Sequence, residues 1–135
     1  VGLFGVILLD THVVIWLAVE PGRISSRARA AISQARQESE PLAVCDISFL
    51  EIAGLVRKDR VAFTIGLEAF FAEVETHFVV LPITARSAAR SAALSESFPK
   101  DPSDRIIAAT ALVEGLRLVT ADHDLRRHRE LGCIW

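Results

Sequence analysis

Residues Gly5-Val6-Ile7-Leu8-Leu9-Asp10-Thr11-His12 read GVILLDTH. Four consecutive apolar residues, Val6–Leu9, describe a strand buried on both faces. The acid that follows stands where that strand leaves the core. It is either a helix cap or a working group, and the rest of the chain decides between the two.

Outward from this stretch, short apolar runs alternate with helical ones. Thr11–Val19 reads as a short helix closed by Pro21-Gly22, and Ser25 or Ser26 caps a second helix reaching Glu38. Leu42–Cys45 is a second strand. Ile47–Lys58 follows as a helix, with Phe49, Ile52, Ala53 and Val56 on one face. Thr64–His77 is helical, with Leu67, Phe70, Phe71 and Val74 forming its apolar stripe. Phe78–Leu81 is a third strand, Thr84–Leu94 an Ala-rich helix and Ser95–Lys100 a loop. Pro102–Glu114 is a helix stopped by Gly115. Arg117–Thr120 makes a fourth strand, Asp122–Arg129 a basic helix and Cys133–Trp135 a fifth, edge strand. Short apolar strands alternating with helices specify an α/β protein: a parallel sheet of four to five strands in a three-layer α/β/α domain over 1–135.

The composition is that of an ordinary globular chain. Its 135 residues carry 15 basic and 17 acidic side chains, a net charge of −2, which does not indicate a strongly basic nucleic-acid binder. Cys45 and Cys133 match no zinc or redox spacing and read as small hydrophobes of a reducing compartment. The apolar run near the start lacks a basic n-region and is broken by Asp10, so neither a signal peptide nor a membrane span is expected, and the cytoplasm is the expected location.

In open parallel sheets, function gathers beyond the carboxyl ends of the strands. Asp10 ends strand one, Asp46 ends strand two with Glu51 one turn on, and Asp122 and Asp124 follow strand four. Asp101 and Asp104 open the helix before strand four. Each has a plainer reading. Asp10, Asp101 and Asp122 suit helix caps, and Ser48-Phe49-Leu50-Glu51 has the form of a capping box. Capping does not require convergence at one sheet edge. Two carboxylates about 4 Å apart repel by roughly 4 kcal/mol at an effective dielectric near 20, so a converging set must hold protons or a hard cation. Oxygen donors without a His or Cys cluster favour Mg²⁺ or Mn²⁺, which suits phosphate-ester hydrolysis.

The order LLDTH, ISFLEIA, DPSDRIIAATA and LVTADHD resembles that of PIN-domain ribonucleases, particularly the VapC-type toxins of toxin–antitoxin pairs. The likeness covers nearly the whole chain and implies a sheet order 3-2-1-4-5. It implies Asp10, Glu51, Asp104 and Asp122 as the catalytic acids, with Asp10, Asp104 and Asp122 as ligands of Mg²⁺ or Mn²⁺. Thr11, Ser48 and Thr120 match small polar residues near the metal, and Asp101, Arg105 and Asp124 match supporting positions. The implied reaction is hydrolysis of RNA, leaving a 5′-phosphate and a 3′-hydroxyl. The implied partners are a VapB-type antitoxin and a second copy in a homodimer.

The surface allows RNA. Setting the four acids aside leaves 13 acidic against 15 basic residues. Arg57, Lys58, Arg60, Lys100, Arg105, Arg126, Arg127 and Arg129 are candidates to flank the site and hold phosphates, although many suit solvated helix faces equally. None of the four histidines has metal-ligand spacing. Val13–Leu17 is apolar around more than one face of its helix, so Trp16 is either core or a partner anchor. Three rivals remain. A haloacid-dehalogenase-like phosphohydrolase needs a second acid two residues after Asp10, where His12 stands. A catalytically silent binding domain does not need all four acids. A housekeeping RNA-processing nuclease of the same fold fits the residues, and the small size leans towards the toxin.

Overall fold

A computed structural model describes residues 5–135; the first four residues of the expected domain, with the start of the N-terminal apolar run, lie outside the described part. Four parallel strands form the sheet: β1 (Ile7–Leu9), β2 (Leu42–Cys45), β3 (Phe78–Leu81) and β4 (Arg117–Val119). Their order is β3-β2-β1-β4. Leu9 pairs with both Val44 and Val119, so β1 is central and Asp10 emerges from the middle of the carboxyl edge.

The helices are α1 (Thr11–Val19), α2 (Ser26–Gln37), α3 (Ile47–Arg57), α4 (Leu67–His77), α5 (Ala85–Ala93), α6 (Pro102–Glu114) and α7 (His123–Arg126). Strand side chains alternate between the two faces. Ile7, Leu9, Leu42, Val44 and Val119 enter one core with Val13 and Val14 of α1, Ile32 of α2, Ile52 of α3 and Phe70 and Val74 of α4. Leu8, Ala43, Cys45 and Leu118 enter the other with Ile107, Ala108 and Ala111 of α6 and Leu125 of α7. Both faces being covered explains why β1, β2 and β3 are unbroken apolar runs rather than alternating ones, while β4 opens on the exposed Arg117. Small Ala43, Ala108 and Ala111 meet in that second core, where α6 lies against the sheet.

Several boundaries differ from the sequence reading. The α4 helix begins at Leu67, not Thr64, because Gly66 takes the extended N-cap conformation. The segment 122–129 is a four-residue helix followed by a separate 3-10 turn, Arg129–Leu131. The expected fifth strand is reduced to one parallel bridge, Val119 to Ile134, beside β4. Gly132, at φ +55°, turns the chain just before it. The order 3-2-1-4-5 is therefore a four-stranded 3-2-1-4 sheet with a single residue in the fifth place. Along α1, Val13, Val14 and Ile15 are buried, whereas Trp16 and Leu17 are only partly covered and Val19 is exposed.

Leu8 is fully buried at the centre of the sheet and Leu50 is 70% exposed on α3. Leu8→Ala is expected to lower the unfolding free energy by about 2–5 kcal/mol in urea titrations, and Leu50→Ala by no more than about 0.5 kcal/mol. Equal losses would contradict the assigned core.

Candidate active site

The site grows out of the carboxyl edge of β1 and β4. The Asp10 N–H donates to the Val119 carbonyl (3.0 Å), continuing the parallel ladder one residue past β1. Its side chain then serves as N-cap of α1: the Thr11 N–H donates to Oδ1 at 2.8 Å. The other oxygen, Oδ2, accepts from the Thr120 hydroxyl at 2.7 Å, a contact between residues 110 apart in sequence. Thr120 Oγ1 in turn accepts from the Asp122 N–H (3.0 Å). One hydroxyl thus ties two acid-bearing segments together.

A second branch runs to α3. Thr11 Oγ1 donates to Glu51 Oε1 (2.5 Å) and lies 2.8 Å from Ser48 Oγ. The capping box offered as the plainer reading of Ser48–Glu51 does not form. Asp46 is the N-cap of α3 and makes no side-chain capping bond, while Ser48 and Glu51 both turn to Thr11. Asp10, Thr11, Ser48 and Thr120 are all buried, so these polar groups are paired where water is excluded.

Asp122 Oδ1 accepts from the Asp124 and Leu125 N–H groups and caps α7. Asp101 Oδ1 accepts from the Ser103 N–H and caps α6, with Pro102 at its first position. The capping roles are therefore real, and each coexists with membership of the acidic group. Asp104, in the first turn of α6, is half-buried. Asp124 is exposed and lies 3.9 Å from Arg127.

Burial and like charge dominate the electrostatics. Burial lifts the Asp104 carboxyl to about 7, with Asp10, Asp101, Asp122 and Glu51 adding like-charge repulsion. The Asp10 carboxyl is also raised: burial outweighs the bonds from Thr120 and Thr11 and the charge of His12, and Asp122 raises it further. Glu51 is raised by burial, opposed by the Thr11 hydroxyl and reinforced by Asp10 and Asp101. Acids from β1, α3, α6 and the turn after β4 thus feel one another's charge. Among the described residues, no three His, Cys, Asp or Glu side chains close into a ready ligand cluster. The group shares a charged neighbourhood rather than ligand contacts. An all-oxygen donor set with a carboxyl displaced this far suits a hard divalent cation, and each carboxylate keeps acceptor capacity beyond the bonds described.

Arg105 departs from the phosphate-holding option. Its guanidinium donates to the carbonyls of Ser91, Leu94, Ser95 and Pro99, so it clamps the α5–α6 loop from beneath. Cys45, buried under the site, has its thiol pushed up to about 12 by burial first. Two residues beside the acids have no assigned role in the sequence reading, which places Asp46 at the end of strand two and Trp135 in an edge strand. Asp46 sends Oδ2 to the Ile83 N–H (3.2 Å), and its buried Oδ1 lacks a partner among the described residues. Trp135 reaches the site through the Ile134 bridge and packs 5.8 Å, centroid to centroid, from Trp16. Asp46 is marked by its place at the end of strand two; no local motif marks Trp135, whose only signal is the parallel pairing of residue 134.

Comparison with known proteins follows the same lines. Residues 7–131 match the family model described as PIN domain. The chain is 42% identical over 123 residues to Ribonuclease VapC22 of Mycobacterium tuberculosis, covering 91% of this chain and 92% of that protein. Among solved structures, it resembles a chain of a toxin–antitoxin complex from Klebsiella pneumoniae, with 28% identity, 86% of each chain covered and a TM-score of 0.58. It also resembles a chain of VapBC2 from Rickettsia felis bound to a DNA fragment from its promoter. That match has a TM-score of 0.68 and 15% identity over 95% and 96% of the two chains, a likeness of fold.

The raised Asp104 pKa has a consequence for the metal-free protein. An unfolded Asp ionises near 3.8 and the folded one near about 7, so the folded state holds the proton more tightly. Stability is therefore lost as pH rises from about 4 to about 7 and stays low above that. Thermal melts in chelator are expected to show wild type less stable at pH 8 than at pH 5.5, and Asp104→Asn to flatten that difference. An unchanged pH profile in the variant would show that Asp104 is not the strained carboxyl.

Proposed function

The chain belongs to the PIN-domain family, and we propose that it is a VapC-type endoribonuclease that hydrolyses RNA phosphodiesters with a divalent ion. It would act as the toxin of a VapBC-type pair. The observation that carries the reading is the shared charge of Asp10, Glu51, Asp104 and Asp122 at the carboxyl edge of one parallel sheet. The likeness to Ribonuclease VapC22 and to a chain of a toxin–antitoxin complex favours the toxin over a housekeeping RNA-processing enzyme. The haloacid-dehalogenase-like alternative lacks its second acid at His12 and is set aside.

Asp10, Asp104 and Asp122 would hold Mg²⁺ or Mn²⁺, with Glu51 beside them. Such an ion, when bound, neutralises phosphoryl charge and lowers the pKa of water. The chain's own residues do the positioning. Thr120 and the Thr11 amide fix the Asp10 carboxylate from two sides, and the Thr11 hydroxyl holds Glu51 against the same junction. Ser48 supports Thr11, so a rigid hydrogen-bonded base underlies the acids. Asp101 adds negative charge beside the acids and caps α6, and Asp124 lies in the first turn of α7.

The partner reading rests on α1. Trp16 and Leu17 are partly covered, Val19 is exposed, and an open groove of about 500 Å³ beside Leu17 is walled by Ile24 and Ile32. A VapB-type antitoxin is the proposed occupant of such apolar surface, and the chain is proposed to pair as a homodimer. No helix among the described residues is long and apolar enough to cross a membrane. A cytoplasmic site of action fits an enzyme acting on RNA.

Purified Asp10→Asn and Asp104→Asn are each expected to cut RNA at least about 100-fold more slowly than wild type in Mg²⁺ or Mn²⁺. Their circular dichroism should match wild type, and chelator should silence the wild type. Full activity in either folded variant, or turnover of p-nitrophenyl phosphate but not RNA, would overturn the assignment.

A further inference from the structure

Beside the acidic edge lies an open pocket of about 350 Å³, lined by Arg27, His123, Arg126, Arg127, Cys133 and Trp135. Its volume is within the roughly 300–1,000 Å³ of small-ligand clefts. Three observations place it next to the acids. His123 directly follows Asp122. Cys133, in its wall, feels the charges of both Asp10 and Asp122. An aromatic row leads from one to the other: His12, two residues past Asp10, lies 5.9 Å from Trp16, and Trp16 lies 5.8 Å from Trp135. Arg23 sits over the Trp16 ring at 4.5 Å.

The charge in the pocket is unbalanced. Arg127 is 3.9 Å from Asp124, a long contact between exposed groups, and Arg23 pairs with Glu20 at 3.5 Å. Among the described residues, Arg27 and Arg126 enter no ion pair. Arg27 comes from α2, Arg126 from α7 and Trp135 from the segment after the 3-10 turn, so three separate elements bring an aromatic wall and guanidinium groups to one opening. An aromatic face beside cations is what an unpaired nucleotide needs: a surface for the base and donors for the phosphates. A duplex offers no free base face.

We propose that this pocket holds one unpaired nucleotide of the RNA substrate, its base against Trp135 and its phosphates among Arg27, Arg126 and Arg127. The proposal rests on the ribonuclease reading and adds to it a place on this chain where one nucleotide is held, which fixes the strand relative to the acids. It also gives the aromatic row a role that core packing alone does not require.

The test uses an intrinsic signal. The chain has two Trp and no Tyr, so its emission comes from Trp16 and Trp135. A 2′-O-methyl octaribonucleotide, which resists cleavage, is titrated into wild type and into Trp16→Phe, where Trp135 is the sole emitter. Anisotropy of a labelled copy reports binding independently. Saturable quenching in both proteins is expected, with weaker binding of the same sequence as a duplex. Trp135→Leu should lose about fivefold or more in affinity, the effect of one lost base stack. Arg126→Ala should reduce the salt dependence by about one counterion. If the oligonucleotide binds by anisotropy but leaves Trp135 emission unchanged in Trp16→Phe, the pocket is not the nucleotide site, whether or not RNA is cleaved in Mn²⁺. If the protein neither binds nor cleaves RNA, the ribonuclease reading falls and this proposal with it.

Discussion

The hydrogen bond from Thr120 to Asp10 joins the ends of two neighbouring parallel strands, and the candidate site depends on it. The ladder alone would bring β1 and β4 side by side, but it would leave the side chains beyond their ends free to diverge. With Thr120 fully buried and Asp10 nearly so, the 2.7 Å bond fixes a carboxylate where the sheet opens. The same hydroxyl accepts from the Asp122 N–H, so the turn after β4 takes its direction from Asp10. Thr11 repeats the device towards α3. Threonine suits both positions: its hydroxyl can donate and accept at once, and its branched side chain fits the edge of a sheet.

This construction accounts for an apparent contradiction in the acids. Asp10, Asp101 and Asp122 all cap helices, a stabilising role that needs no neighbour. Each cap satisfies orphan amides with one oxygen, and the electrostatic cost falls on the group that has no amide to compensate it. Asp104 makes no hydrogen bond among those described around the site and bears the repulsion of four other carboxylates. Local helix stability and shared negative charge are thus achieved by the same residues. A sequence that only needed caps would be served as well by Ser or Asn.

Much of this was legible before any coordinates. Short apolar runs mark the strands because both sheet faces are covered, and their alternation with helices leaves a parallel sheet as the economical answer. The family resemblance marks the small hydroxyls Thr11, Ser48 and Thr120, and they form the buried network. Errors arose where tertiary contacts override local pattern. The rival capping-box reading of Ser48 and Glu51 fails in this way, because Thr11 offers a better partner from another element. Arg105 follows an acid at a helix start and resembles a phosphate ligand, but the carbonyls of the α5–α6 loop claim its guanidinium. The sequence places Trp135 only in an edge strand, because its position beside Trp16 follows from a single bridge between distant residues.

The central claim is that these carboxylates act as one group whose charge a divalent ion neutralises. Titration of Mn²⁺ into the wild-type protein, followed by the electron paramagnetic resonance signal of the free ion at several pH values, tests it most directly. Ligands must shed protons to bind metal, so affinity should climb steeply between pH 6 and 8 as the Asp104 proton, held near about 7, is released. Affinity that is flat across that range, or an ion signal that the protein never diminishes, would mean that the acids are separate helix caps and no more.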